Sequence, residues 1–294
     1  MGNELTQTYE IESQLGAGGS GAVYKAWHKR LRKHLVIKEQ KDGTTKEVEA
    51  HRNEIEALKN IKSMYIPQVF DFLMEESSSF TVMEYIDGDS FDKLLKAGRM
   101  FSKKQLIKWY YQLACALQVI HRHDVCHRDI KPSNIMLTQD EDACLIDFNS
   151  AFVSDNNTKV VNRSLGYASP EQYMYFELCV DFHSGKTSYV AEPQRVYNGA
   201  YIRAAPIDWK LSDIYSLGAT MFHLVTGKRP PELADEKTIA LSLDDSDLGH
   251  IIKRSMQATP DDRFSSATEL CKALAHCFTN FPAGSNNSLG TTYF

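Results

Sequence analysis

The chain has 294 residues, a formal net charge of −5 and 43% hydrophobic residues, enough for one or two domains with sizeable cores. An acidic balance without a long basic run argues against a nucleic-acid surface, and no signal peptide or apolar run long enough to span a bilayer is visible, so a cytoplasmic location without membrane attachment is expected for this form. The six cysteines (Cys115, Cys126, Cys144, Cys179, Cys271 and Cys277) form no CxxC pair, and neither disulfides nor zinc is expected.

The polar N terminus, Met1–Thr8, is expected to fray. Tyr9–Leu15 and Ala22–Trp27 alternate apolar and polar residues and read as two strands joined by the glycine-rich turn Leu15-Gly16-Ala17-Gly18-Gly19-Ser20-Gly21-Ala22-Val23. Glycine admits positive φ and close backbone approach, so the amide N–H groups of such a turn can cover phosphates. A dinucleotide-binding turn needs a helix after the glycines, and here a strand follows. Leu35-Val36-Ile37-Lys38 is a β-branched run ending in a lysine, whose buried ammonium is costly unless it meets anions. Thr44–Ile61 puts Val48, Ile55, Leu58 and Ile61 at helical spacing and carries Glu49, Glu54 and Glu56. Phe80–Gly88 reads as a core strand running into an Asp-Gly turn.

The chemistry concentrates in His127-Arg128-Asp129-Ile130-Lys131-Pro132-Ser133-Asn134, which packs a carboxylate, an ammonium and a carboxamide into one short loop. These are the groups phosphoryl transfer needs. Asp129 can accept the proton of an attacking hydroxyl, Lys131 can neutralise charge on the transferred phosphate, and Asn134 can hold a divalent cation. The short apolar runs Ile135-Met136-Leu137 and Ala143-Cys144-Leu145-Ile146 follow, then Asp147-Phe148-Asn149 and Gly166-Tyr167-Ala168-Ser169-Pro170-Glu171-Gln172. Met174–Lys210 is too rich in aromatics for a disordered linker, and either packs on itself or docks a partner. Ser212–Gly218 and Pro260–Phe264 come next, and Pro282–Phe294 is polar enough to fray.

Taken in this order, the motifs resemble a eukaryotic-like (Hanks-type) serine/threonine protein kinase domain of bacterial flavour, over roughly residues 9 to 279. The resemblance implies an α+β, bilobal protein kinase fold, with a small antiparallel β-sheet lobe bearing one helix and a larger, mainly helical lobe. Residues 9–86 would form the first lobe and 87–279 the second, with the aromatic-rich insert at 174–210 and flexible termini at 1–8 and 280–294. It also implies ATP and Mg2+, or Mn2+ in its place, as cofactors and proteins as substrates. Asp129 would be the base and Lys131 would favour serine or threonine acceptors. Lys38 would touch the α- and β-phosphates and pair with Glu54, with Glu49 and Glu56 as alternatives. Gly16, Gly18 and Gly21 would cover the phosphates, with Val23 and Met136 also against the nucleotide. Val36 departs from the usual alanine and would narrow the adenine roof. Met83 would be the gatekeeper, and backbone groups of Glu84 and Ile86 would bond the adenine edge.

Asn134 and Asp147 would hold the metal, Asn149 standing where the family has glycine. Ser164 would bond the catalytic Asp and Lys, and Arg128 would receive a phosphate placed on Thr158, unless Thr158 is only a polar loop residue. Asp213 would brace the catalytic loop through backbone amides, and Glu171 would pair with Arg263. Two other readings share the fold. A pseudokinase scaffold would lack one of Lys38, Asp129, Asn134 and Asp147, and all are present. A small-molecule phosphotransferase would have Asp129 and Asn134 without the set Glu171, Asp213 and Arg263.

Overall fold

A computed structural model describes residues 3–18, 21–41, 52, 55–56, 58–75, 78–148, 152–153, 164–179, 194–197, 200–203, 207–231 and 236–279. The N-terminal part is an antiparallel sheet in the order β1-β2-β3-β5-β4, with β1 Tyr9–Gly18, β2 Gly21–His28, β3 Lys33–Lys41, β4 Val69–Glu75 and β5 Ser78–Glu84. Strand alternation sorts its side chains. Leu35, Ile37, Phe80 and Val82 turn to one face and form a small core with Ala26, Tyr9 and Leu5. Directly paired residues share a face, so Val23, Lys38 and Thr81, with Val36 and Met83, occupy the opposite one.

One expectation is revised here. The N terminus does not fray throughout: Asn3–Thr8 is helical, because Leu5, 2% exposed, buries itself on the sheet. Gly21 is needed for packing as much as for freedom of φ, since a Cβ there would run into the Glu39 carbonyl on the paired strand. Residues 55–56 and 58–59 are helical, as the spacing in Thr44–Ile61 predicts, while Glu54 lies outside the described residues.

The larger part is built around helices Lys103–Arg122 and Trp209–Thr226. The first starts at a capping box, in which Ser102 and Gln105 satisfy each other's backbone N–H groups. It buries Leu106, Trp109, Tyr110, Leu113, Leu117 and Ile120 in a core that also takes in Ile55, Leu58, Ile61 and Val69. The second starts at Asp208, whose carboxylate accepts from Lys210 and Leu211 N–H, and ends at Gly227 in the left-handed conformation. Within the aromatic-rich insert, Gln194–Tyr197 pairs antiparallel with Ala200–Arg203. No helix among the described residues is long and apolar enough to cross a membrane.

Arg263 is the most fully satisfied cation among the described residues of this part. Its guanidinium is 0% exposed and bonds Glu171 at 2.7 and 2.8 Å and the carbonyls of Leu211, Ala258 and Gln257. All five N–H donors are thereby used. Glu171→Gln would leave a buried guanidinium without its counter-charge, and a loss of roughly 3–5 kcal/mol is expected. Equilibrium urea unfolding measures it; a loss under about 1 kcal/mol, the range of exposed pairs, would show that the pair is not buried in solution.

Candidate functional site

The His127–Asn134 loop is positioned from below by Asp213, which projects from helix Trp209–Thr226 and is 0% exposed. Its Oδ2 accepts from His127 N–H at 2.8 Å and from His121 Nε2 at 3.0 Å, and its Oδ1 accepts from Arg128 N–H at 2.8 Å. Arg128 adopts φ 64°, a conformation that favours glycine or asparagine, and the paired bonds to one carboxylate hold it there. The His127 ring accepts Asp129 N–H at Nδ1 (3.3 Å), so Nε2 carries the proton and donates to the Ile146 carbonyl at 3.0 Å. Its ring also packs on Phe148, with centroids 4.9 Å apart. One buried histidine thus joins the loop to the Asp147 segment.

Above this base the polar groups converge on Asp129. Its Oδ1 accepts from the Ser164 hydroxyl at 2.5 Å, and its Oδ2 accepts from Lys131 Nζ at 2.7 Å and Asn134 Nδ2 at 3.3 Å. Lys131 also donates to Ser164 Oγ at 3.0 Å. Asn134 is oriented by a 2.8 Å bond from Nδ2 to the Asp129 carbonyl. Lys38, on β3, reaches Asp147 at 2.7 Å. Burial alone would raise the Asp147 pKa, but the Lys38 ammonium outweighs it and holds the carboxyl below its ordinary value. Asp147 itself sits at φ 67°.

The structure therefore brings together Asp129, Lys131, Asn134 and Ser164, and separately Lys38 and Asp147. Val23, Val36 and Met83 share the sheet face that carries Lys38. Gly16 has open space where a Cβ would stand, and Glu84 and Ile86 follow at the end of β5. Met136 is half-buried, on a strand whose buried face carries Ile135 and Leu137. Glu54, Asn149 and Thr158 lie outside the described residues, as does the tip of the glycine-rich turn at 19–20.

Sequence reasoning missed several residues that tie the site together. Gln172 donates to the Arg128 carbonyl at 3.0 Å, Ser169 bonds Ser212 at 2.8 Å, and the Arg128 guanidinium lies 4.1 Å over the Trp209 ring. Gly166, at φ 80°, presses against the Pro230 carbonyl and gives its N–H to Tyr173 Oη at 2.8 Å. The links of Gln172, Ser169 and Trp209 cross 43 to 81 positions of sequence, so no local pattern announces them.

The chain is similar to several known proteins. The protein kinase domain family model matches residues 9–281. A probable serine/threonine-protein kinase of Clostridium acetobutylicum is 28% identical over 96% of this chain and 41% of its own length. One from Streptomyces coelicolor is 25% identical over 96% of this chain and 42% of its own. The serine/threonine-protein kinase Nek5 of Mus musculus is 30% identical over 88% of this chain and 39% of its own. The chain spans about two fifths of the length of these relatives.

Asp213→Asn tests the base of the site. The new amide sets an N–H against a backbone N–H, leaving a buried donor unsatisfied at a cost of about 1–3 kcal/mol. A lower urea midpoint and faster hydrogen exchange at the His127 and Arg128 amides are expected; unchanged exchange there would refute the bracing role.

Proposed function

The chain belongs to the protein kinase domain family, and from that premise we propose that it transfers the γ-phosphoryl group of ATP to serine or threonine hydroxyls of protein substrates. The observation that carries this reading is the convergence of Ser164, Lys131 and Asn134 on the Asp129 carboxylate. Held by these donors, Asp129 is placed to take the proton of an incoming hydroxyl, and the Ser164 hydroxyl at 2.5 Å supports room for one beside it. Lys131 offsets charge on the transferred group, and its position between Asp129 and Ser164 supports a serine or threonine acceptor.

The residues fit a divalent cation, because the Asp147 carboxylate and the Asn134 amide supply the hard oxygen donors that magnesium or manganese takes. Such an ion, when bound, would offset the charge of the phosphates. Lys38 is assigned to the α- and β-phosphates, with Glu54 as its partner. Gly16, Gly18 and Gly21 approach the phosphates. Val23, Val36, Met83 and Met136 enclose the base, and the backbone of Glu84 and Ile86 meets its edge. Positioning and electrostatics then supply most of the acceleration. We take 9–86 and 87–279 as the two lobes, assign the 174–210 insert to self-packing or partner docking, and place the protein in the cytoplasm.

Radiolabelled ATP with a generic protein acceptor is the direct test, since a scaffold would give no labelled protein and a small-molecule phosphotransferase would label only small acceptors. Asp129→Asn should keep ATP affinity and lower kcat by about 10²–10⁴. Undiminished turnover would remove Asp129 from the role of base. Asp147→Asn should abolish magnesium-dependent nucleotide binding, and tight Mg-ATP binding by that variant would count against the metal site.

Regulation is assigned to Thr158, whose phosphate would carry about −1.5 to −2 charge and seek Arg128. Incubation with Mg-ATP followed by mass spectrometry should find Thr158 phosphorylated and Thr158→Ala less active. An unmodified Thr158 together with a fully active alanine variant would reject the switch.

A further inference from the structure

A cleft of about 570 Å³ opens on the Lys131 and Ser164 side of the catalytic loop. Tyr167, His223 and Arg229 also line it, with Lys96 and Asp92. The charge in this cleft is unevenly compensated. Lys96 is paired with Asp92 at 2.7 Å, and Lys131 with Asp129 at 2.7 Å. Arg229 is exposed and has no carboxylate partner among the described residues; its Nε donates to the Leu165 carbonyl at 2.7 Å, its Nη2 donates to the same oxygen, and its guanidinium lies 5.4 Å from the Tyr167 ring centre.

His223 adds no negative charge to offset it. Burial pushes the Tyr167 hydroxyl up to about 12, so the phenol keeps its proton and donates to His223 Nδ1 at 2.6 Å. Burial and the neighbouring Arg229 hold His223 below its ordinary pKa, which leaves the ring neutral at neutral pH. Asp92 is the only carboxylate that lines the cleft among the described residues, and Lys96 already neutralises it.

We propose that this cleft selects acceptor segments carrying an anionic side chain, carboxylate or phosphoryl, within about three residues of the hydroxyl to be phosphorylated, roughly 10 Å of extended chain, and that Arg229 is the residue chiefly responsible, with Lys96 in support. The proposal rests on the kinase reading and adds its substrate class. An anion can bond the guanidinium N–H groups not given to Leu165, whereas a lysine or arginine in the same place would meet like charge.

The test is a set of serine peptides of one scaffold, with Ala, Glu, Lys or phosphoserine placed singly at positions −3 to +3, assayed by initial rate with the full chain and Mg-ATP. At one position or more, kcat/KM for the Glu or phosphoserine peptide should exceed that for the Ala peptide by about 1.5- to fivefold, the range for a solvent-exposed ion pair, and the Lys peptide should be poorer than Ala. Added salt should shrink the advantage. Better rates with Glu than with phosphoserine identify a carboxylate as the natural group, and the reverse identifies a phosphoryl group.

Arg229→Glu should reverse the ranking of Glu and Lys peptides at that position. Because Arg229 also holds Leu165, Lys96→Glu, on an exposed helix end, provides a second variant that should move the ranking the same way without touching that contact. The ranking within each variant is read, so a general loss of rate does not obscure it. A basic preference or no preference in the wild type overturns the proposal while the kinase reading stands. An acidic preference that neither variant alters overturns the assignment to Arg229 and Lys96. Failure to label any peptide or any generic protein overturns both readings.

Discussion

The arrangement depends on one buried acid. Asp213 is fully enclosed in the helical core, and a carboxylate there is tolerable only if its oxygens are bonded. Its partners are two consecutive main-chain N–H groups and an imidazole. Consecutive amides point at one acceptor only when the chain turns sharply, which is what φ 64° at Arg128 achieves. Burial of the acid and strain in the loop therefore support each other: removing the carboxylate would free the turn, and straightening the turn would orphan the carboxylate. Asp129 is the next residue and inherits its place from this turn. His127, fixed by the same carboxylate through its N–H, carries the order on to Ile146 and Phe148 beside Asp147.

The small sheet solves a different problem, which is to present a lysine at low exposure without leaving it unpaired. Period-two alternation puts Ile37 in the small core and Lys38 on the opposite face, where it finds Asp147. A one-residue slip of β3 would exchange them, burying an ammonium among Leu5, Phe80 and Val82. The register is thus enforced by the same hydrophobic set that holds the N-terminal helix in place.

How much of this was legible in the sequence follows from the range of each interaction. The strands around the glycine-rich turn and the run at Leu35–Lys38 were readable because alternation is local, and the observed β1, β2 and β3 differ from them by a few residues at their ends. Asp213 and the pair Glu171 with Arg263 were readable only through resemblance, since spacing alone does not say that residues 92 apart will meet. Tyr167 and Gln172 were read only as members of the Gly166–Gln172 motif, without their partners, and His223 and Arg229 were not read at all. Each is an ordinary polar residue in its own segment, and its partner is supplied by another element. The helix Asn3–Thr8 escaped for a similar reason: one leucine in a polar octet has no periodicity, and it becomes a helix anchor only when a sheet is there to cover.

One helix links the cleft beside Lys131 to Asp129. Asp213 near its start fixes the His127–Asn134 loop, and His223 near its end stands in the cleft wall, ten residues and about 15 Å along the axis away. The packed, 0% exposed side chains of Ile214, Leu217 and Met221 keep that segment from bending. Arg229 follows just past the Gly227 cap and is tied back to the Ser164–Gly166 segment through Leu165. The distance from base to cleft wall is therefore set by a rigid rod, while the charge of the wall is set by side chains beyond its capped end. The wall and the groups that bond Asp129 are joined by a main-chain bond, Tyr167 N–H to the Ser164 carbonyl at 3.0 Å, which a side-chain substitution in the wall leaves in place.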